Sequence, residues 1–349
     1  MQAPEPTLRL RVNAQALADN WRALNAMSGA AKAGAAVKAN AYGLGVNACV
    51  PALRDAGCES FFVAHWSEVA PLLNHVSPAQ IAVLHGPLND ADVSYAIAMG
   101  VRPVINSLSQ AQRWRAGGGG ACHLMIDTGI HRLGISPSDL SEPAIKALDI
   151  DILMSHLSSA DEDCVTNTRQ LAAFRNCLPL LTHRSASLAN SAGIALGPDY
   201  AFDSTRPGLS LYGGIARREL DGKIAQVAQI EAAIIQTAKL LEGDAVGYNG
   251  EFVAPHEMQV GTVSIGYADG FLRSCGARAG TPRVLLHEGK CLPLLGKVSM
   301  DMVVVDLNEA TELREGDWLA VQFDLPDAAQ HSGLSQYELL TVLGQRFAS

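Results

Sequence analysis

Charge is scarce in these 349 residues: Asp, Glu, Lys and Arg together make up 17%, short of the usual fraction of about a quarter. Apolar residues make up 48%, so the chain can bury a large core, which excludes intrinsic disorder. Aromatic residues are few, at 5%. Basic residues are outnumbered, 26 against 35 acidic, for a net charge of −9. No basic stripe appears either, so nucleic acid is not an expected partner. No apolar run reaches the roughly eighteen residues of a transmembrane helix, and the opening MQAPEPTLRLRVNAQAL lacks the apolar segment of a secretory signal. The seven cysteines (Cys49, Cys58, Cys122, Cys164, Cys177, Cys275, Cys291) are scattered, with no CxxC pair or Cys/His cluster, so neither a disulfide frame nor a zinc site is indicated. The expectation is a soluble, cytoplasmic protein without membrane or metal, of two domains or one large barrel with an appendage.

What is present is rhythm. Leu17, Trp21, Leu24 and Met27 fall at helical spacing and predict a helix over 14–27. Eight short apolar runs follow, at 35–38, 60–65, 81–86, 101–107, 123–129, 151–159, 184–191 and 205–214. Helix-like stretches lie between them at 46–56, 67–74, 89–98, 109–116, 139–147 and 162–177. Runs apolar on both faces and alternating with helices read as βα units around a parallel sheet. Each run ends in polar residues or glycine: Lys38 and Asn40, His65, His85, Asn106, Asp127 with Arg132, His156, Asn190 with Ser191, Arg206 with Tyr212. In a (β/α)8 TIM-type barrel those ends converge on the face that holds the chemistry. A doubly wound open sheet would show the same periodicity.

Beyond about residue 225 the pattern turns β-rich, through 258–270, 281–300, 301–307 and 317–323. Glu288-Gly289 sits where a hairpin turn belongs, and a helical pattern over 335–347 closes the chain. The stretch 226–241 is ambiguous between strand and helix. We therefore expect a barrel domain over 1–225 and a mainly β domain over 226–349, with strand-like residues 7–12 pairing into the latter. The four glycines at 117–120 read as a connector before the fifth strand, since no Lys-Ser/Thr follows to make a phosphate loop.

Two constellations carry chemistry. In VKANAYGLG (37–45), Lys38 ends a buried strand. Such a lysine can snorkel to water, or serve as a Schiff-base amine whose pKa burial lowers. Tyr42 supplies a hydroxyl four residues on, and Gly43 and Gly45 let backbone approach a ligand. In LANSAG (188–193) with RPGLSLYGG (206–214), Ser191 and the amides near Gly208 and Leu209 can cradle a phosphate. They follow the seventh and eighth runs, where barrels commonly bind one; the bland alternative is a pair of Gly/Pro turns.

Together, VKANAYGLG, IDTGIHRLGI, SHLSSADE, LANSAG, RPGLSLYGG, VGYNG, SIGYADGF and GKVSMDMVVVDL resemble, in chain order, the motif set of bacterial alanine racemases. The likeness runs from about residue 8 to the carboxyl terminus. It implies a pyridoxal 5'-phosphate barrel followed by a β-domain, working as a homodimer on a small amino-acid substrate. Lys38 matches the lysine that binds the cofactor and acts as base on one face of the substrate. Tyr248 matches the tyrosine that reaches the other face from the partner subunit. A phenol is a poor base at neutral pH without positive charge nearby, and Arg132 matches the arginine that supplies it and meets the substrate carboxylate. Met300 and Asp301 match the flanking partner-chain segment, and Tyr267 the tyrosine that narrows the access passage. Tyr42, Ser191, Gly208 and Leu209 match the phosphate-binding set. Arg206 matches the residue facing the pyridine nitrogen, with His156 and Asn190 beside it; without the resemblance, His156 reads as a core histidine.

Two departures stand out. Many relatives carry at the position of Met125 a carbamylated lysine that orients the arginine matching Arg132, and a methionine accepts no strong hydrogen bond. Relatives also continue to a tyrosine beyond Arg346-Phe347-Ala348-Ser349, so looser fixation of the cofactor ring or a wider pocket is expected here. Serine or a broader substrate range therefore stands beside alanine. A non-catalytic cofactor carrier and a metal-dependent lyase are the readings from other classes; Tyr248 and the β-rich tail speak against the first, the lack of a ligand cluster against the second.

Overall fold

The computed structural model describes residues 5–276, 283–344 and 346–347. Residues 281–282, which open the run predicted over 281–300, and residues 1–4 and 348–349 lie outside the described residues. The chain divides into two compact units, one from Ala14 to Ala225 and one formed by the residues through Asn13 with those from Gln226 onward. No helix among the described residues is long and apolar enough to cross a membrane.

The described chain opens with strand β1 (Leu8–Val12) and a helix over Ala14–Met27. In the first unit, β2 (Lys32–Ala33) and β3 (Ala35–Ala36) are separated only by Gly34 and act as one barrel strand. Strands β4 (Phe61–Val63), β5 (Ile81–Val83), β6 (Arg102–Ile105), β7 (Cys122–Met125), β8 (Ile150–Met154), β9 (His183–Ser187) and β10 (Ser204–Thr205) follow, each parallel to its predecessor. The last, β10, pairs with β2 through Ser204↔Lys32 and Thr205↔Ala33, while β3 pairs with β4. That pairing closes the sheet into a barrel. Gly34 makes the closure feasible: a Cβ there would lie 2.8 Å from the Phe62 ring and 2.9 Å from the Ser60 carbonyl oxygen.

The helices at Ala14–Met27 and Val46–Ala56 coincide with their apolar periodicity, burying Leu17, Trp21, Leu24, Val50 and Leu53. Two others differ from expectation. The stretch predicted over 67–74 is a 3-10 turn (Trp66–Glu68) running into Val69–Leu72. The stretch over 139–147 is broken at Pro143, which lacks the N–H a continuous helix needs. The eighth apolar run keeps ladder pairing only at Ser204–Thr205; Pro207 and Gly208 end it, and Leu209–Tyr212 forms a 3-10 turn. Phe62, Ala82, Val104, Met125, Ile152 and Met154 fill the barrel interior as one apolar layer, each large side chain contributing about 1.5–3 kcal/mol on burial.

One polar group sits in that interior for a structural reason. Between β7 and β8 the register shifts after Cys122↔Ile150, and the His123 Nδ1 accepts the Ile152 N–H at 3.2 Å, replacing a ladder bond. Burial, then the charges of Arg102 and Arg206, push the His123 pKa from 6.5 down to about 3. Between those values the unfolded chain holds the proton and the folded one does not. Stability is therefore full above pH 6.5 and declines as pH falls toward 3, by at most about 1.4 kcal/mol per pH unit from this group. His123→Asn, which can keep an acceptor toward Ile152 without titrating, should flatten that decline in urea unfolding followed from pH 7 to pH 5.

The second unit is antiparallel throughout. Its long strand β11 (Ala228–Leu240) settles the ambiguous stretch as strand. The first half of β11 pairs with β1 (Leu8↔Ala232), and its second half pairs with β14 (Met258–Val263) past a bulge between Ile234 and Gln236. From β14 the ladder runs to β17 (Val303–Asp306), β16 (Lys290–Leu295), β15 (Val284–His287) and β18 (Trp318–Val321), and β18 returns to β11. The β15–β16 hairpin turns at Glu288 and Gly289, both with positive φ. A small hairpin of β12 (Ala245–Val246) and β13 (Phe252–Val253) stands apart from the large sheet. Its base is packed by Val246, Phe252, Met258, Val260 and Leu295. Of the predicted carboxyl-terminal helix, Gln336–Thr341 is helical, capped by Ser335 and Glu338.

Candidate active site

Lys38 leaves the barrel just after β3, at the carboxyl end of the strands. The four residues that follow, Ala39 to Tyr42, all have φ between 52° and 55°. A left-handed turn of non-glycine residues costs about 1–2 kcal/mol per residue, so it persists only where contacts hold it. Ala41 N–H donates to the Val37 carbonyl at 2.9 Å, Gly45 N–H to the Asn40 carbonyl at 2.9 Å and Val46 N–H to Asn40 Oδ1 at 3.0 Å. Glu68 accepts the Ala39 N–H on Oε1, and the N–H groups of Ala64 and His65 on Oε2 at 2.7 and 2.9 Å. Burial, followed by the charge of Arg132, holds the Lys38 ammonium below its usual pKa, with Glu68 working the other way. The amine accordingly carries a larger neutral fraction than a surface lysine, as a nucleophile or base requires.

Beside the turn lies a polar cradle. Ser191 Oγ accepts the backbone N–H of Gly208 at 2.9 Å and of Ser210 at 3.2 Å. The Tyr42 ring stacks on Tyr212, with centroids 4.7 Å apart, and Tyr212 Oη donates to the Ala36 carbonyl at 2.8 Å. A Cβ at Gly208 would fall 2.3 Å from Tyr42 Oη, so any side chain there would have to displace the tyrosine hydroxyl. Ser210 Oγ is buried without a hydrogen-bond partner. Hydroxyls, amides and an unsatisfied buried oxygen converging on one spot suit a phosphate. Asn190 caps the short helix Ser191–Ala195, accepting the Gly193 N–H at 2.8 Å.

Arg206, 7% exposed, donates to Ser187 Oγ and to the carbonyls of Ser155 and Leu188. Burial lowers its pKa to about 10, so it stays cationic at neutral pH. Burial first, then the charges of Arg206, Arg132 and Lys38, push His156 down to about 3, leaving a neutral imidazole. The loop bearing Arg132 wraps a carboxylate: Asp127 Oδ1 accepts the N–H groups of Gly129, Ile130 and His131 at 2.9–3.1 Å. Arg132 itself is exposed, and Met125 is buried in the apolar interior layer. Among the described residues no ion pair holds the Arg132 guanidinium. Lys38, Tyr42, Arg132, His156, Asn190, Ser191, Arg206, Gly208 and Leu209 all lie at the carboxyl ends of the barrel strands or in the loops that follow them.

In the second unit, Tyr267, Met300 and Asp301 come together. Tyr267 N–H donates to the Ser299 carbonyl at 3.1 Å and Ala268 N–H to the Met300 carbonyl at 3.0 Å. Gly266 permits this latch, since a Cβ there would sit 2.4 Å from the Met300 carbonyl oxygen. Arg346 ties both segments, its Nε to buried Asp269 and its Nη1 to Asp301, each at 2.7 Å. The Arg273 guanidinium lies 5.5 Å from the Tyr267 ring centroid. Tyr248 stands at the tip of the β12–β13 hairpin, 65% exposed, between Gly247 and Asn249, both at positive φ.

Glu68, Ser210 and Arg346 were passed over in the sequence. Glu68 and Arg346 act through backbone or ion-pair contacts to residues distant in the chain, for which spacing gives no signal. Ser210 lies inside RPGLSLYGG and could have been found as a second hydroxyl beside the phosphate amides.

Residues 12–216 match the family described as alanine racemase, N-terminal domain, and residues 227–349 match alanine racemase, C-terminal domain. The chain belongs to the alanine racemase family. An alanine racemase of Methylobacterium nodulans is 39% identical over 97% of this chain and 94% of its own length. Two relatives from Agrobacterium fabrum, one named catabolic and one biosynthetic, are 37% and 36% identical, covering 97% and 99% of this chain and 90% and 93% of their own. The structure of alanine racemase from Bartonella henselae, described with covalently bound pyridoxal phosphate, superposes with a TM-score of 0.88 at 31% identity, covering 99% of each chain.

Proposed function

We propose that this protein is a pyridoxal-phosphate-dependent alanine racemase, cytoplasmic and homodimeric, whose catalytic pair is Lys38 and Tyr248 of the partner subunit. The observation that carries the reading is the lysine of depressed pKa beside the Ser191–Gly208–Ser210 cradle, on a chain matching both domains of the family. The residues fit the cofactor: Ser210 Oγ lacks a partner, and the Gly208–Tyr42 approach leaves no room for a side chain. Lys38, Tyr42, Ser191, Gly208 and Leu209 would hold it, with Arg206, His156 and Asn190 around its ring. When bound, pyridoxal phosphate supplies the electron sink that makes the α-hydrogen of an amino acid acidic.

The protein's own part is to bind, orient and move one proton. Lys38 Nζ takes the proton on one face of the substrate, and Tyr248 of the partner subunit delivers one from its Oη on the other. Because each does the reverse in the opposite direction, two residues suffice for interconversion. Arg132 meets the substrate carboxylate and supplies positive charge near the phenol, with Met300 of the partner subunit and Asp301 of the partner subunit flanking and Tyr267 narrowing the passage. Arg206 keeps its proton at neutral pH, and so would leave a ring nitrogen facing it unprotonated, which would limit side reactions. The near-equal identities to a catabolic and a biosynthetic relative favour neither physiological role.

The test is incubation of the protein with cofactor and each L-amino acid in deuterium oxide. L-Alanine should gain α-deuterium and lose optical activity. Exchange of serine or of many amino acids would widen the substrate, and exchange of none, with cofactor bound, would leave only a carrier. The cradle has its own check. Gly208→Ala forces Tyr42 Oη away, and one lost hydrogen bond to a charged group is worth about 1.5–3 kcal/mol. Cofactor titration should therefore show Kd raised by about ten- to a hundredfold.

A further inference from the structure

Glu68 spends its two carboxylate oxygens on different parts of the barrel. Oε2 makes a local cap, accepting the N–H groups of Ala64 and His65 at the end of β4. Oε1 reaches across to residue 39 and accepts its N–H, the first amide after Lys38. A local cap needs only the first arrangement. The second meets the left-handed turn where its strain begins, at Ala39 with φ 52°. Among the described residues no ion pair neutralises the Glu68 carboxylate, so its charge acts on its surroundings. Those are Lys38, faced also by Arg132, and His85, which lies edge-on to His65 with centroids 4.3 Å apart.

We propose that Glu68 is a positioning residue for Lys38: by tying the Ala39 amide to the end of β4, it holds the left-handed turn and so fixes where the lysine leaves the backbone. The inference rests on the assignment of Lys38 as the reactive lysine, and it extends that assignment to a residue 30 positions away in sequence. Its physical content is a strained segment held by an anion accepting three amides. Hydrogen bonds to a charged acceptor are about twice as strong as neutral ones, which suits a tie against backbone strain. The same carboxylate opposes the depression of the Lys38 ammonium by burial and Arg132.

Glu68→Gln separates the two roles. A carboxamide has one acceptor oxygen; if that stays on the Ala64 and His65 amides, its NH2 faces the Ala39 N–H, donor against donor. Hydrogen exchange in the cofactor-free full chain should then speed up several-fold in peptides covering 37–45, while peptides covering 60–72 keep wild-type protection. Competitive acylation of the Lys38 amine, read by mass spectrometry against pH, should shift its midpoint to lower pH. In the loaded enzyme kcat should fall on the order of tenfold to a hundredfold with KM changed less, as for a misplaced reacting group. If Glu68→Gln does not fold, Glu68→Asp, whose arm is one methylene too short to span both sites, is read by the same exchange measurement. Unchanged exchange at 37–45, or an unchanged Lys38 titration, would overturn the proposal. Neither readout requires turnover, so failure here and failure of the racemase reading are told apart.

Discussion

Lys38→Ala is expected to abolish racemisation without lowering stability. On the proposed reading, the substitution removes both the amine that would bind the cofactor and the base for one substrate face. General-base catalysis alone contributes about 10²–10⁴-fold, so a loss of at least roughly four orders of magnitude is expected in a polarimetric assay. Phosphate affinity should survive in part, because Ser191, Gly208 and Ser210 are untouched. Stability behaves differently. Burial and Arg132 hold the Lys38 ammonium below its unfolded pKa of 10.5, so at pH values under that the lysine opposes folding rather than favouring it. The alanine variant should accordingly melt no lower than the parent at pH 7, and the difference should shrink as pH rises toward 10.5. A functional group that costs stability is the expected mark of a site. A variant that lost activity by unfolding would show the opposite, with a depressed Tm.

The barrel was legible because its logic is periodic. Helix Ala14–Met27 and helix Val46–Ala56 repeat their apolar residues every three to four positions, and the observed bounds follow. The strands were legible as apolar runs but not in length. Only two residues of the eighth run, Ser204–Thr205, pair in the ladder, and the rest supplies Arg206 and Gly208 to the mouth. Strand β11 defeated periodicity, because its first half buries residues up to Ile234 while its second half, past a bulge and on a different neighbour, buries none. His123 was invisible as a polar core residue, since its need arises from a register shift that no local pattern encodes.

At the site, residue type marked the candidates, whereas supports acting through the backbone carried no such mark. Lys38, Tyr42, Ser191 and Gly208 sit in short motifs that single them out, and the structure brings Tyr42 and Ser191 against Gly208. The left-handed turn that presents Lys38 uses two alanines, an asparagine and a tyrosine; of these only asparagine favours that conformation. Its conformation therefore depends on acceptors elsewhere in the barrel, Glu68 among them. Arg346 is the counterpart in the second unit, fixing the Tyr267 and Asp301 segments from near the carboxyl end. Supports of this kind are set by tertiary distance, which a single sequence does not print.

Tyr248→Phe should separate proton removal from racemisation. The side chain is 65% exposed on its hairpin, so losing its hydroxyl should move stability by no more than about 0.5 kcal/mol and leave cofactor loading intact. In deuterium oxide, the enantiomer whose α-hydrogen faces Lys38 should still exchange, while conversion to the mirror form falls by about 10²–10⁴-fold. Equal loss of exchange from both enantiomers would remove Tyr248 from its role. The variant also tests whether sites are shared. In a dimer made of one Lys38→Ala subunit and one Tyr248→Phe subunit, a shared arrangement leaves one site with both native residues and the other with neither. Random reassembly of equal amounts places half the chains' dimers in that mixed form, so about a quarter of wild-type activity should return. If Tyr248 served its own chain instead, every mixed dimer would lack a complete pair and the mixture would stay as inactive as its parents.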